Sequence, residues 1–489
     1  MSEKNRFGKL LKHLMAAAEL KYYTLAQELQ YDVSYISKWT GGQMLPAEKY
    51  APKILKGISN CIVLRCSSEA AERLMEDYQV NTLDDLKQAI LDNLEAEYNY
   101  ERQHQNGGGN EAASGVEFWP ELKMAQFVSQ MQHPVLRRVN GLDIVGVFDI
   151  LSVGREYQRR LTDSQNKHVS KGMWYQNVHY HMVISVEEKN MDCPHDIIFL
   201  VDLLNRNQCI DFYLYGNDTA TGKAVLVVGD DYMISGMLAD REQCVSVVTS
   251  ELSEYCRSMY RSMKALCRRE DLLFRKTSMK EMLLKHEYVH GLFALRQQWV
   301  IGHLTEHFLP EDLFEEIAEQ IKADSGTEKV VSMAELRSIH RIIRNALEKF
   351  RIRLLFYRTT FYNLAVDNEL AFFNYKVHLT QKQVIRCLEY FIELCRDHPY
   401  LEIKMVPGKL IPNMEYSSSP CIFLCDTISH IRLVGDYNNM YIVNRNDVKR
   451  AFTKFFNEFW EDREGALITE RDKIIASVRY IISGIGGNN

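Results

Sequence analysis

His286-Glu287-Tyr288-Val289-His290 sets two histidines four residues apart with a glutamate between them. On an α-helix that spacing puts both imidazoles on one face. There they can hold a zinc ion while the glutamate serves as general base on the metal's water, the chemistry of peptide hydrolysis. Ser278-Met279-Lys280-Glu281 has the form of a capping box, so the sequence predicts a helix that starts there and runs through the motif. A hydrolytic centre also needs a third protein ligand, for which His303, Glu306 and His307 are the candidates. The segment before them, LFALRQQWVI, carries no turn signal, with Gly291 and Gly302 as the places where a helix could break. In a continuous helix His303 lies about 20 Å along the axis from His290, at about 1.5 Å per residue, too far to share a metal. Met282, His286, Val289 and Phe293 also fall on one helical stripe, the pattern of a core-facing helix that contains a histidine. The reading preferred is a connecting helix with no metal and no catalytic residue. A zinc peptidase is the alternative.

A second constellation lies near the amino terminus, in TLAQELQYDVSYISKWTGGQMLP, residues 24–46. Thr24 can cap a short helix whose inward positions are Leu25, Ala26 and Leu29, and Asp32 can cap a second one. In that second helix Ile36 and Trp39 fall on the buried side. Val33, Ser34, Ser37 and Lys38 fall on the outer side, with Tyr35 at the edge. Phe7, Leu10, Leu11 and Leu14 supply an amphipathic first helix, and Pro46 is placed to open a fourth. The order L-A-x-x-L, then S-x-I-S-K-W, then Gly42 and Pro46 resembles the Cro/repressor (XRE-like) helix-turn-helix domain across about residues 5–58. It departs from that pattern at Gln30, where glycine is usual, and at Thr40, where an acidic residue is common. The resemblance implies that the second helix enters the major groove of double-stranded DNA. Val33, Ser34 and Ser37 then face bases or sugars, Gln27 and Lys38 face phosphates, and Tyr35 joins the DNA-binding set at the edge of the face. It also implies a homodimer on two half-sites.

Further along, residues 225–264 and 421–460 align without a gap: VLVVGDDYMISGMLAD lies over CIFLCDTISHIRLVGD, and Asp230 and Asp240 over Asp426 and Asp436. The closing helices carry one stripe, Leu252, Cys256, Met259 and Met263 over Val448, Phe452, Phe455 and Phe459. These blocks predict a duplicated α/β body. A strand ending in aspartate, two more strands and an aromatic helix, in two related halves, is similar to phospholipase-D-like domains. Active members carry H-x-K-x-x-x-x-D in each half. The aligned positions here are Lys223, Val225 and Asp230, and Ser419, Cys421 and Asp426, so both histidines and both lysines are gone. The resemblance thus implies a binding or sensing scaffold without that chemistry. His179-x-His181 shares one strand face, where Tyr180 and Met182 fit an ordinary half-buried strand better than a metal site.

The elements that must position these residues follow from composition and charge. A chain of 489 residues is too long for one core, and its net charge of -6 gives no general attraction to nucleic acid, so DNA binding requires a local basic patch. Residues 1–60 provide one, with nine Lys or Arg against five Asp or Glu, net +4. Residues 61–103 hold four against ten, net -6, and predict an acidic helical connector, able to dimerise. HQNGGGNEAASG, 104–115, has the composition of a flexible linker. The body then divides into repeats at 116–277 and 278–489, with strands such as HYHMVISV, IDFYLY and KAVLVVGD. The eleven cysteines lack zinc-ribbon spacing and sit in apolar patterns, as reduced thiols do. The amino terminus lacks a signal-peptide core, and no apolar run is long enough to span a bilayer. The fold class expected is multidomain, an all-α helix-turn-helix domain followed by a duplicated α/β body. The expected protein is a cytoplasmic DNA-binding regulator that needs no cofactor and answers to a small-molecule or peptide effector.

Overall fold

The structure, a computed structural model, describes residues 6–78, 80, 82–105, 115–137, 141–163, 177–186, 193–324, 332–408, 420–461, 465 and 467–486. Most of the expected linker, 106–114, and Ser419 lie outside them. The chain divides into two compact units, one of Met1–Asn190 with Arg206–Asp271 and one of Met191–Asn205 with Leu272–Asn489. Among the described residues the elements are an amino-terminal helical region and two seven-stranded sheets with flanking helices. No helix among these residues is long and apolar enough to cross a membrane.

The first unit opens with α1 (Arg6–Ala17), α2 (Tyr22–Leu29), α3 (Val33–Thr40), α4 (Ala51–Arg65), α5 (Ser68–Tyr78) and α6 (Leu83–Gln105). Phe7, Leu11 and Leu14 of α1 are fully buried, as the 3.6-residue period requires. At Gly8 a β-carbon would stand 2.6 Å from the Trp39 carbonyl oxygen, so only glycine lets α1 lie this close to the end of α3. Two expected boundaries move. Helix α4 runs straight across 60/61, begun by Pro52 in its first turn rather than by Pro46. The acidic segment is no free connector either. Leu86, Ile90 and Leu94 of α6 are fully buried, the Tyr98 hydroxyl donates to the Pro46 carbonyl at 3.0 Å, and the Tyr98 ring meets Phe7 edge-on at 6.0 Å. The negative charge marks the wet side of a helix whose apolar side completes the same core.

The sheet of this unit is built from β1 (Val116–Lys123), β2 (Leu142–Phe148), β3 (Val178–Ile184), β4 (Asp211–Gly216), β5 (Lys223–Val228), β6 (Tyr232–Leu238) and β7 (Gln243–Ser250). Its helices are α7 (Met124–Met131), α8 (Arg155–Asp163) and α10 (Ser253–Lys264), while α9 (Cys193–Arg206), between β3 and β4 in the chain, falls up to Asn205 in the second unit. The strand order is β1-β7-β6-β5-β2-β3-β4, with β2, β3 and β4 parallel and the other pairs antiparallel.

The second unit contains β8 (Phe274–Ser278), α11 (Met279–Leu284), α12 (Glu287–Leu292), β9 (Gln297–Ile301), α13 (Glu311–Asp324), α14 (Met333–Lys349), β10 (Ile352–Tyr357) and α15 (Arg358–Asp367). A small hairpin, β11 (Glu369–Phe372) and β12 (Tyr375–His378), precedes α16 (Gln381–Asp397) and β13 (Leu401–Val406). The chain ends through β14 (Cys421–Cys425), β15 (His430–Arg432), β16 (Asn439–Val443), α17 (Asn446–Glu461) and α18 (Arg471–Gly486). Read from its β8 edge, this sheet runs β8-β16-β15-β14-β9-β10-β13. Numbered within themselves, both sheets therefore have the order 1-7-6-5-2-3-4, with strands 2, 3 and 4 parallel in each. Strand β8 pairs with β16, so the expected boundary at 277/278 shifts back to Asp271/Leu272.

Candidate functional site

The face of α2 and α3 is assembled locally. Helix α2 starts one turn earlier than Thr24 suggests, with Lys21 at its N-cap, so Thr24 lies inside the helix. It ends at Gln30, which adopts the left-handed conformation at φ 58° and closes the helix through its backbone N–H to Ala26 and Gln27 carbonyls. Glycine adopts this conformation without steric cost, whereas Gln30 does not. Asp32 then caps α3 by accepting from the Ser34 amide at 2.9 Å, and hydrogen bonds from the Ser34 side chain and amide hold the Asp32 carboxyl below its ordinary pKa. Ile36 and Trp39 turn inward and are fully buried. Thr40 is buried too, and its hydroxyl donates to the Ile36 carbonyl at 2.9 Å, so an uncharged residue is satisfied there. Gln27, Val33, Ser34, Tyr35, Ser37 and Lys38 are all exposed. Val33 and Tyr35 are 42% and 43% exposed, large apolar surfaces at the head of a helix. Tyr31 was not legible as part of this face. Its ring bridges Tyr35 at 5.7 Å and Trp39 at 5.3 Å, fixing the exposed ring to the core.

The His286–His290 motif folds differently from its prediction. Ser278 does cap α11, accepting from the Glu281 amide at 3.1 Å, but the helix stops at Leu284. His286 takes φ 57° in the left-handed region, outside both helices, and α12 begins after it. The two histidines therefore do not share the face of one helix. Glu287 is held by Arg275 through two bonds of 2.8 and 2.9 Å. The predicted core stripe is overturned as well. Met282 is buried, whereas His286 and Phe293 are exposed. In LFALRQQWVI the helix does not continue past Leu292, and after a turn QQWVI forms β9. Among the described residues no group of three or more His, Cys, Asp or Glu could hold a metal ion.

Tyr288, the central letter of the motif, enters a buried network. Its hydroxyl donates to Glu306, and His307 Nε2 stands 3.1 Å from the same oxygen. Thr305 Oγ1 lies 2.9 Å from His307 Nδ1. Arg432 donates to both Glu306 oxygens at 2.8 and 3.0 Å and to the Phe373 carbonyl at 3.0 Å, while the Phe373 amide donates to Glu306 at 3.0 Å. Burial pushes the Glu306 carboxyl up, but Arg432, His307 and these bonds outweigh it and bring the carboxyl down to about 2. Burial holds His307 at about 4 and raises Tyr288 well above the ordinary phenol value. The cluster therefore carries one paired charge of each sign and neutral partners. Glu306 and His307, candidate third ligands for the alternative zinc reading, are thus committed to this network. No local pattern in the sequence places Arg432 beside them, and the β14–β15 hairpin brings it there.

The remaining candidates are structural. Asp230, past the end of β5, accepts from Arg257 at 2.8 Å and Ser253 at 3.3 Å. Lys449 donates to the Asp426 backbone carbonyl at 2.8 Å. His181 stacks on Tyr213 at 4.8 Å, meets the Tyr215 hydroxyl at 3.2 Å and is kept neutral by burial at about 4. His179 instead pairs with Asp211 at 3.1 Å. Cys61, Cys66 and the cysteines from Cys209 to Cys425 are free thiols. No protein-family model matches the chain, and no curated protein is significantly similar to it in sequence.

Proposed function

We propose that the protein is a sequence-specific, double-stranded-DNA-binding transcriptional regulator that works as a homodimer. The observation that carries the reading is α3. It is capped by Asp32, entered through a left-handed residue after α2, anchored by Ile36 and Trp39, and left bare at Val33, Ser34, Tyr35, Ser37 and Lys38. That is the layout in which a helix-turn-helix domain of Cro/repressor type presents a recognition helix to the major groove. Lys38 and Gln27 serve the phosphates, and the α3 head reads the base edges.

On this reading the remainder is a duplicated α/β scaffold similar to phospholipase-D-like domains, retained for sensing. The shared strand order of the two sheets supports the duplication, as do Asp230 and Asp426 just past the ends of β5 and β14. Lys223, Val225 and Cys421 stand where nucleophile and phosphate ligands would be needed, so phosphodiester cleavage receives no support. A zinc peptidase receives none either, with His286 outside the helix and Glu287 committed to Arg275.

The test is fluorescence anisotropy with a DNA fragment from upstream of the protein's own coding region. Wild type binds specifically, and binding weakens with salt. Lys38→Ala lowers affinity for every sequence and reduces the salt slope by about 1, whereas Ser34→Ala costs about 1–3 kcal/mol on the specific fragment alone. Equal binding by wild type and the Ser34→Ala/Lys38→Ala variant would sink the assignment.

A further inference from the structure

We propose that the second unit carries a ligand site of its own, in which the His430 side chain receives an uncharged, largely apolar small molecule through one hydroxyl-like group. The enclosed part of the pocket is about 10 Å³, room for one water-sized group, within about 270 Å³ of empty space that includes open solvent, and Tyr288, Leu292, Trp299, His307, Phe423 and His430 are among its walls. His430 sits on β15, 5% exposed, with its ring stacked on Phe423 at 4.7 Å and 16°. Neither of its ring nitrogens has a hydrogen-bond partner among the described residues, although both are buried. A buried polar group left unmade costs about 1–3 kcal/mol, and phenylalanine would fill the same stack without that cost. The neighbouring His307 has both nitrogens engaged, by Thr305 and Tyr288, so the cluster can satisfy an imidazole where structure alone requires it. His430 is built to be satisfied by something else.

The ligand's chemistry follows from the lining. Burial holds His430 neutral, at about 3, so its ring offers one donor and one acceptor. A hydroxyl can pair with either nitrogen, donating to the bare one or accepting from the N–H. Trp299, Phe423, Leu292 and Ile428 supply apolar contact for the rest of the molecule. A charged ligand would enter without a counter-ion, because Arg432 and Glu306 neutralise one another. The enclosed space takes only a water-sized group, so the hydroxyl goes in first and the body stays toward the half-buried part of the lining, Gly291, Cys425 and Ile428.

As an effector site the pocket rests on the regulator reading, but its occupancy is measurable without DNA. The experiment is calorimetric titration of the full chain with phenol, and with benzene as the probe lacking the hydroxyl. Phenol should bind saturably at one per chain and benzene about tenfold more weakly. His430→Phe should bind phenol about tenfold more weakly while melting no lower than wild type. Ile428→Trp, which closes the mouth from a half-buried position, should abolish binding even if the first variant folds poorly. No saturable phenol binding, equal binding of benzene, or binding unchanged in both variants overturns the proposal. Failure of the promoter titration with wild-type protein removes the regulator reading alone and leaves the phenol result to stand or fall by itself.

Discussion

Burial, more than neighbouring charge, sets the protonation of the inner imidazoles, at about 4 for His307 and about 3 for His430. Both values lie below the roughly 6.5 of an unfolded histidine. Their contribution is therefore complete above that value and is lost as pH falls toward the folded-state values, because the unfolded chain then binds the extra protons. One such histidine costs about 2 kcal/mol between pH 6.5 and pH 5. Urea unfolding of wild type should show stability falling across that interval, and His430→Phe should lose about 2 kcal/mol less. An identical pH slope in the variant would mean that His430 is protonated in the folded state. Nothing in the string ISHIRL announces this role. A histidine on a three-residue strand reads as an ordinary alternation, and its isolation exists only once Phe423, Tyr288 and Ile442 close around it.

Among the non-glycine residues with left-handed backbone are Gln30, at the end of α2, and His286, at the α11–α12 junction. That conformation costs an ordinary residue about 1–2 kcal/mol, against about 0.5–1 kcal/mol of chain entropy for glycine. Gln30→Gly and His286→Gly should therefore leave stability unchanged or raise it by up to about 1 kcal/mol. His290→Gly, inside α12, should lower it by about 0.5–1 kcal/mol. The opposite sign at His286 would restore the continuous helix that the sequence predicts. The same two junctions show what was legible. Ile36, Trp39 and the Asp32 cap were readable because periodicity and capping are local. The break at His286 was not, since no glycine or proline marks it. QQWVI was ambiguous for the complementary reason, as a short apolar run fits strand and helix alike until its partners, β10 and β14, are known. Charge misled in one place: the sign change at residue 60 marks the solvent side of α6, not the edge of a domain.

At the scale of the whole chain, each of the two compact units has a sheet and a core of its own, and the second gathers Trp299, Phe308, Phe314, Phe356, Phe361 and Phe391 into one cluster. The alignment of 225–264 with 421–460 foretold strands β5–β7 and β14–β16 with their closing helices. It could not reveal that β1 and β8 return to the same edge in both sheets, because that pairing leaves no local pattern. Units with separate cores should unfold separately. Arg432→Met tests this, since it leaves the Glu306 carboxylate buried without its partner at the centre of the second unit alone. Removing one member of a buried pair costs about 3–5 kcal/mol, or about 6–20 °C for a unit of this size. Scanning calorimetry should therefore show two transitions, of which only one moves. Adding Glu306→Gln should recover part of the shift, because the stranded charge is then gone. A single transition displaced as a whole would mean that the two sheets share one cooperative core.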